Sequence, residues 1–433
     1  MFIYYILILS LPMIDHPIFG KQIGGVTVEK ILGALCFLYA FWELMKKGRV
    51  PHFLSTSQSR AFLIFYLLVL LAYVDAPGTD GFKMTIFTAH LVFMITTIIL
   101  VSSAARLRWA CLFLIASIDW ASLYMLREWQ TGSAIYGSSY RPGYVTGDPN
   151  YFTASVLLCL PMIFYFLSAE ASAEGKRRTG EGLFYVVSIC LILPAVRLGA
   201  SRGGLVGMSA MALFIAWRSN RRIRNLIAII AVGAALIFFA PSGPVQRLLH
   251  PTQGDKESSD IRLLLWQSGL NMIRSHPLAG VGLGRFKAVS LAYAPPGTTT
   301  PELKHIAHNT YLEMAAEIGV PGLLAFVAIL FFTYRSAGLI RKEAQDQSDG
   351  VVFVTASSIQ AGLVGFSISI FFISADFLKV LWFVVFLCCC LPHILRTTAR
   401  GTVMVEVPRP SLETQNRQAR YISTRMDQAM QKR

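Results

Sequence analysis

A histidine and an asparagine stand side by side where the longest polar segment of this chain meets an apolar stretch. His308 and Asn309 are separated by nine residues from Gly319, and Gly322 follows after two more. An imidazole exchanges a proton near neutral pH and can act as a general acid or base. At the entrance of an apolar helix it could act on a molecule held at a membrane surface, so this spacing indicates an enzyme with a lipid-linked substrate.

The same histidine has a structural interpretation that stays open. A lone histidine at a membrane boundary is more often a hydrogen-bonded anchor than a base. His305 lies close by in the sequence, and the glycine pair after Asn309 lets the following helix pack closely against a neighbour. Both features favour the chemical interpretation modestly.

Arginines form the second group of candidates, because a guanidinium binds phosphate oxygens in a bidentate manner and stays charged. Arg202 lies between two abutting apolar runs and is followed by Gly203 and Gly204. A charge at a tight turn within membrane depth is costly, which makes Arg202 a candidate functional residue. Arg262 precedes Trp266 by four residues; it either binds an anion or forms an ion pair along its own helix. At Arg127, Arg247 and Arg274 the simplest interpretation is a charged end reaching from the membrane boundary to water.

Composition places these groups in a membrane protein. Hydrophobic residues make up 54% of the 433 and charged residues 15%, against about 25% charged in soluble domains. The net charge is +15, but the basic residues are spread among the ends of apolar runs, which is typical of topology determinants and not of a nucleic-acid surface. All seven cysteines lie inside apolar runs, which excludes a disulfide framework or zinc spacing in the loops.

We therefore predict an all-α, polytopic membrane protein with about twelve transmembrane helices and one large outer segment that contains helices. Residues 1–240 hold helices one to nine, 241–318 the outer segment, 319–395 the last three helices, and 396–433 a polar tail that we expect to be disordered. The first run follows no basic region and no cleavage site, so we expect it to be retained. The apolar runs are 2–14, 30–45, 61–75, 84–102, 109–126, 151–169, 183–200, 203–217, 226–241, 319–334, 351–374 and 377–395.

The distribution of positive charge predicts the orientation of these spans. With the N-terminus in the cytoplasm, five short inner loops carry sixteen lysines and arginines, and the outer loops apart from the large segment carry seven. Because basic residues concentrate on the cytoplasmic side, both termini are predicted to be cytoplasmic and 241–318 to lie outside.

Within that outer segment the pattern alternates between helix and turn. Pro241 and Pro244 stop the preceding helix, and apolar residues recur at helical spacing over Ile261–Ser275. His276-Pro277 ends that helix. Three glycines over 280–284 make a flexible turn, and a last helix is expected to start near His308.

Taken together, these motifs resemble the signature of bacterial O-antigen ligases and the related Wzy-type O-antigen polymerases. Besides the His308-Asn309 motif, Ser201-Arg202-Gly203-Gly204 is similar to the family's Ser-Arg-Gly turn. Asp260-x-Arg262 with Trp266, followed by the stretch from His276-Pro277 to Phe286, resembles its outer-loop block. Residues 141–150 resemble an earlier loop of the family. The resemblance therefore covers roughly residues 130–330 by motif.

The resemblance implies glycosyl transfer at the periplasmic face of the bacterial inner membrane, without metal or cofactor. The donor would be a glycan on undecaprenyl pyrophosphate, and an acceptor hydroxyl would displace the lipid pyrophosphate with inversion. On this basis His308 would deprotonate the acceptor, and Arg202 and Arg262 would hold the pyrophosphate, where positioning and electrostatic stabilisation should suffice. The further substrate contacts implied are Arg141, Asn150, Arg285 and Asn309, although Asn150 could equally cap a helix.

The acceptor and some rival functions stay open. Lipid A core is favoured over a lipid-linked repeat, as used by a polymerase, and over a protein. A lipid or glycan transporter would require charges at mid-membrane, for which Asp119, Arg197 and Asp376 are the candidates. A metal-dependent lipid-sugar transferase could use Asp15, which is more simply an interfacial residue. Nucleic acid is not an expected partner; membrane lipid is.

Overall fold

The computed structural model describes residues 1–23, 26–47, 53–76, 81–136, 140–172, 179–219, 222–223, 253–298 and 303–405, and these are almost entirely α-helical. One antiparallel hairpin, β1 (Gln22–Ile23) with β2 (Val26–Thr27), pairs Gln22 with Thr27. The helices are α1 (Phe2–Ser10), α2 (Val28–Lys47), α3 (Ser57–Asp75), α4 (Gly81–Leu100), α5 (Ala104–Tyr136), α6 (Pro149–Ser172), α7 (Thr179–Gly199), α8 (Arg202–Arg218), α9 (Gln253–Ser275), α10 (Phe286–Val289), α11 (Thr310–Asp346), α12 (Gly350–Ser369) and α13 (Lys379–Val405).

Eight of the described helices are long and apolar enough to cross a membrane: α3 to α7 and α11 to α13. The chain is therefore an all-α, multi-pass membrane protein. Helices α1 and α8 coincide with predicted spans but have only 9 and 17 residues. Helix α2 has 20 residues and charged groups at both ends. The predicted ninth span, 226–241, and the proline stop after it lie outside the described residues, so twelve spans remain a prediction.

Close helix packing in the middle of the bundle depends on glycine. A Cβ on Gly365 of α12 would lie 2.9 Å from the carbonyl oxygen of Gly207 on α8, and one on Gly362 would lie 3.0 Å from that of Leu157 on α6. Small residues let membrane helices approach until their backbones touch. Helices α6, α8 and α12 therefore form a tight group, and the N-terminal ends of α6 and α8 are brought to the end of α12.

Several helix boundaries differ from the sequence prediction, and two of them concern the outer segment and the tail. Helix α9 begins at Gln253, eight residues before the predicted start, and ends at Ser275 as expected. Helix α13 continues to Val405, whereas a disordered tail was expected from residue 396. No proline interrupts 396–405, so the helix runs ten residues past the apolar run that predicted it. The remaining tail, 406–433, lies outside the described residues.

Helix α11 is broken near its first third, and Gly319 is the reason. Its backbone is non-helical, with φ 79° and ψ 173°, a left-handed value of φ that glycine adopts without steric cost. A Cβ at this position would lie 2.2 Å from the carbonyl oxygen of Leu278. The N–H of Val320 turns away from the helix and donates to the Pro277 carbonyl at 2.8 Å. Gly319 therefore allows a break in the helix, in addition to the close packing that the sequence predicted.

The glycine turn over 280–284 fills the gap that this break opens. The N–H of Val281 donates to the Ala316 carbonyl at 2.8 Å, and that of Gly282 donates to the Glu317 carbonyl at 3.1 Å. In a continuous helix the Glu317 carbonyl would accept from residue 321, but Pro321 has no N–H. The turn therefore supplies hydrogen bonds that the helix cannot make, and this joins the outer segment to the start of α11.

Replacing Gly319 by alanine is expected to destabilise the protein by roughly 1–3 kcal/mol or more, because the new Cβ meets a backbone oxygen at positive φ. The apparent Tm of the detergent-purified protein measures this, with Gly33→Ala in α2 as the control. A Cβ on Gly33 has nothing within 4 Å, so that variant should keep or slightly raise the Tm. Equal Tm values for the two variants would contradict the role given to Gly319.

Candidate functional site

Four of the predicted site residues meet in one cavity of about 60 Å³. Arg141, Asn150, Arg202 and Arg262 all line it, although they come from a loop, α6, α8 and α9. Its remaining wall includes Phe372, just after α12. Three guanidinium groups around one small polar space form a site suited to the oxygens of a phosphate or pyrophosphate.

Arg202 is held in this cavity by the first turn of α8. The Ser201 hydroxyl oxygen caps the helix by accepting from the Gly204 N–H at 3.1 Å. A Cβ on Gly204 would lie 2.2 Å from Thr153 Cγ2 of α6, and one on Gly203 would lie 2.7 Å from Phe372 Cβ. The two glycines thus let α6 and the end of α12 approach, and the close packing leaves Arg202 at the cavity wall.

Arg141 is positioned by hydrogen bonds at both ends of its loop. Its Nη2 and Nε donate to the Gly199 carbonyl at the end of α7, at 2.6 and 3.0 Å. The Glu128 carboxylate of α5 accepts from the N–H groups of Gly143 and Tyr144, in each case at 3.1 Å to one oxygen. Arg141 therefore terminates α7 as well as lining the cavity, and the carboxylate that holds its loop was not predicted.

Asn150 lines the cavity, while Asp148 caps the helix. The Asp148 carboxylate accepts from the Asn150 N–H at 2.6 Å at the start of α6. The cap role that the sequence left open for Asn150 thus belongs to Asp148. The Asn150 amide remains a candidate for contact with a bound anion or sugar.

His308 lies just before α11, close enough to Arg262 for the guanidinium charge to act on its imidazole, although it does not line the cavity. Its backbone has φ 50°, and its ring stacks on His305 with centroids 4.8 Å apart. Burial, and after it the positive charge of Arg262, lower the pKa of His308 to about 4. Trp266 Nε1 donates to the Ala307 carbonyl at 3.0 Å, which attaches α9 to the residue before His308. His308 is therefore neutral at neutral pH and able to accept a proton.

The structure gives the other two predicted site residues structural contacts. The Asn309 side-chain oxygen caps α11 by accepting from the Leu312 N–H at 3.1 Å, and the residue is buried. Arg285 donates from Nη1 to the Val281 carbonyl at 3.2 Å. Neither lines the cavity, so substrate contact by Asn309 or Arg285 stays a prediction.

A buried charge network that the sequence did not reveal supports this site. The Lys83 ammonium of α4 lies 3.0 Å from Glu313, 2.7 Å from Glu317 and 3.5 Å from Asp376. All three carboxylates are buried, and burial raises the pKa of Asp376. The sequence showed Lys83 as an outer-loop charge and Asp376 as a candidate mid-membrane charge. The available signal was the spacing of Glu313 and Glu317, one helical turn apart after His308.

Each glutamate of this network also holds a piece of backbone. Glu317 accepts from the N–H of Gly284 at 2.9 Å and from that of Phe286 at 3.2 Å. Glu313 accepts from the Ala307 N–H at 3.2 Å and from the Ser374 hydroxyl. The glycine turn, the residue before His308 and the connection between α12 and α13 are therefore tied to one lysine.

Thr310 completes this attachment next to the histidine. Its N–H donates to the carbonyls of Ile370 and Ile373 at 2.9 and 3.0 Å, and its hydroxyl donates to the Ile373 carbonyl at 2.7 Å. The Ala375 N–H donates to the Thr310 hydroxyl oxygen at 2.9 Å. The α12–α13 connection, which also supplies Phe372 to the cavity, is thereby fixed to the start of α11.

A family model matches the part of the chain that includes Arg202, Arg262 and His308. Residues 186–327 match the family model Wzy_C, described as O-antigen ligase. The chain carries an O-antigen ligase family domain. That family is one of glycosyltransferases, so the domain is that of a glycan-transferring enzyme of O-antigen ligase or polymerase type, and the family implies lipid-linked glycan substrates. Among curated proteins, none matches the chain significantly.

The O-antigen ligase match includes some site residues and leaves others out. Arg202, Arg262 and His308 fall within it, together with the glutamates of the lysine network. Arg141 and Asn150 lie before its first residue, and Lys83 and Asp376 lie outside it. Among the residues that the structure describes, no group of three or more His, Cys, Asp or Glu is arranged to hold a metal ion.

Replacing Lys83 by methionine should destabilise the protein by roughly 3–5 kcal/mol, because three buried carboxylates lose their cation. The matched control is Lys379→Met, since Lys379 pairs with Glu29 at 2.6 Å where both side chains are more than a fifth exposed. That pair should be worth about 1 kcal/mol or less. Unfolding in detergent with increasing denaturant measures both, and equal losses would argue against a central role for Lys83.

Replacing Arg262 by glutamine should raise the pKa of His308 from about 4, because a positive charge that disfavours imidazolium is removed. The new pKa should stay below the ordinary value, since burial is the larger cause of the shift. Histidine NMR of selectively labelled protein in detergent follows this titration. Arg274→Gln, at the exposed end of α9, should leave the His308 pKa unchanged; an unchanged value in Arg262→Gln as well would contradict the proposed proximity.

Proposed function

We propose that this protein transfers a glycan from undecaprenyl pyrophosphate to an acceptor hydroxyl at the periplasmic face of the inner membrane. The reaction inverts the anomeric carbon and needs no metal ion. The observation that supports it best is the meeting of Arg141, Arg202 and Arg262 in one cavity, beside a histidine that is neutral at neutral pH.

The arginines would act on the leaving group. As the anomeric carbon–oxygen bond breaks, negative charge grows on the departing undecaprenyl pyrophosphate, and fixed guanidinium groups stabilise it without reorganisation. Arg202 and Arg262 are assigned this role, and Arg141 and Asn150 are assigned further contacts to the donor. A pyrophosphate is already a good leaving group, so positioning and charge stabilisation account for the catalysis.

His308 would act on the acceptor. The acceptor oxygen forms the new bond to the anomeric carbon, and its proton passes to the neutral imidazole. An anionic donor bound beside Arg262 offsets the charge that lowers the His308 pKa, so the imidazole becomes more basic when the donor is present. Glu313 acts in the same direction, because its carboxylate raises that pKa.

In the proposed orientation this site lies at the periplasmic face of the inner membrane. Residues from separate segments predicted to be outer meet here: Lys83, Arg141, Arg202, His308 and Asp376. Their meeting at one end of the bundle supports the grouping derived from positive charge, with both termini cytoplasmic.

Lipid A core is the proposed acceptor, and a gel of lipopolysaccharide from a strain lacking the gene tests it. Core without attached polymer, together with polymer accumulating on undecaprenyl pyrophosphate, would support a ligase. Core carrying a single repeat unit would instead show a polymerase, and an unchanged profile would contradict a lipid A core acceptor and point to another glycan or a protein.

In the same strain, complementation tests the residues. His308→Ala, Arg202→Ala and Arg262→Ala should each abolish transfer, a loss of at least a hundredfold, while the protein stays inserted and abundant. Arg274→Ala is the matched control: Arg274 lies on α9, as Arg262 does, and bonds only Asn271 among the described contacts. Normal glycan transfer by the His308→Ala variant would contradict the proposed mechanism.

A further inference from the structure

A second, larger cavity lies at the end of the bundle away from the arginine site. It has a volume of about 1500 Å³ and is lined by the α2–α3 connection, the last residues of α4, and the later parts of α11 and α13. Helix α4 carries Lys83 in its first turn and Ile98 at this cavity, so the cavity lies roughly 23 Å along that helix from the lysine network.

The lining of this cavity combines positive charge with hydroxyl groups. Arg335 of α11 and Arg396 of α13 contribute guanidinium groups, and Ser102 and Ser336 are among several serines and threonines. No aspartate or glutamate is among the described residues that line it. Cations without carboxylates in the same space favour an anionic ligand, and guanidinium groups in particular favour phosphate.

The start of α3 adds a second source of positive potential. Thr56 caps this 19-residue helix by accepting from the Ser59 N–H at 3.3 Å, and its first turn contains no acidic residue. Thr56 and Ser57 both line the cavity. A helix of this length carries partial positive charge at its N-terminus, which stabilises a bound anion.

A buried side chain at the same place lacks one hydrogen bond. Gln58 is 0% exposed and lines the cavity. Its Nε2 donates to the Ser336 hydroxyl at 3.5 Å, whereas its Oε1 has no hydrogen-bond partner among the described residues. Gln58 thereby holds Ser336, which also lines the cavity, beside the start of α3.

The rest of the wall is apolar. Leu44, Phe53, Phe332 and Leu339 line the cavity between the polar groups. A soluble phosphate would leave this apolar surface exposed to water, whereas the acyl chains of a lipid would cover it. On the proposed topology this end of the bundle faces the cytoplasm, where anionic lipids give the membrane surface its negative potential.

We propose that this cavity binds a phosphate headgroup, and that an anionic glycerophospholipid supplies it. The phosphate lies between Arg335, Arg396 and the N-terminus of α3. The site is separate from glycan transfer and does not depend on the function proposed above.

Native mass spectrometry of the full-length protein in detergent tests this with three added probes: phosphatidylglycerol, phosphatidylcholine and inorganic phosphate. The wild type should retain phosphatidylglycerol in preference to phosphatidylcholine. The double variant Arg335→Gln/Arg396→Gln should bind phosphatidylglycerol at least tenfold more weakly, and Arg335→Lys/Arg396→Lys should keep part of the affinity because charge is retained.

The matched control is Lys342→Gln/Arg222→Gln. Both residues are exposed, neither lines the cavity, and the pair removes the same charge. The control should bind phosphatidylglycerol as the wild type does, and all variants should show the wild-type Tm without added lipid, since the replaced side chains are exposed.

Each outcome decides the proposal. Binding of phosphatidylglycerol alone, lost only in the cavity variant, supports a lipid headgroup. Binding of inorganic phosphate with the same dependence on Arg335 and Arg396 supports the phosphate site but identifies a soluble source. Equal weakening in the cavity and control variants would overturn the proposal, because the effect would then come from surface charge in general. Equal binding by the wild type and the cavity variant would also overturn it, because Arg335 and Arg396 would then not contribute to binding.

Discussion

A single buried ammonium group organises the end of the bundle that carries the candidate site. Lys83 contacts three carboxylates, from α11 and from the connection between α12 and α13. An isolated carboxylate is very costly to bury, and three of them side by side would repel one another. The lysine makes the cluster tolerable, and the carboxylates in turn fix the backbone around it. The arrangement depends on all four groups being present together.

The consequences of that cluster reach the site through hydrogen bonds. Glu317 holds the glycine turn, and Glu313 holds Ala307, next to His308. The break in α11 at Gly319 is what lets the turn come close enough for these bonds. The residues proposed to do chemistry therefore sit on a framework whose polar groups are paired, which keeps the imidazole and the guanidinium groups in place before a substrate arrives.

Charge is distributed differently at the two ends of the bundle. At the end that carries the candidate site, arginines line a small cavity near a neutral histidine, an arrangement suited to the leaving pyrophosphate and the acceptor hydroxyl of the proposed reaction. At the other end, Arg335 and Arg396 line a much larger and partly apolar cavity. The arginines proposed to bind a leaving group and those proposed to bind a lipid headgroup are the same residue type, so only the residues around them distinguish the two sites.

Local patterns in the sequence determined the class of protein and the candidates for chemistry. Apolar runs long enough to span a membrane predicted most of the helices, because a helix in lipid satisfies its own backbone. The types and spacing of His308, Arg202 and Arg262 pointed to phosphate and proton chemistry, since those properties belong to the side chains themselves. The end of α9 at Ser275 also followed from a local signal, the proline two residues later.

What only the tertiary structure decided is which distant residues touch. Lys83 and Glu313 are 230 positions apart, and nothing in local periodicity says that α4 lies beside α11. The same holds for Arg141, which reaches the end of α7, and for Asn309, whose side chain is engaged as a helix cap. Packing order among apolar helices depends on how many small contacts add up across the bundle. A single sequence shows each helix face but not its neighbour, so the charge network became visible only once the helices were assembled.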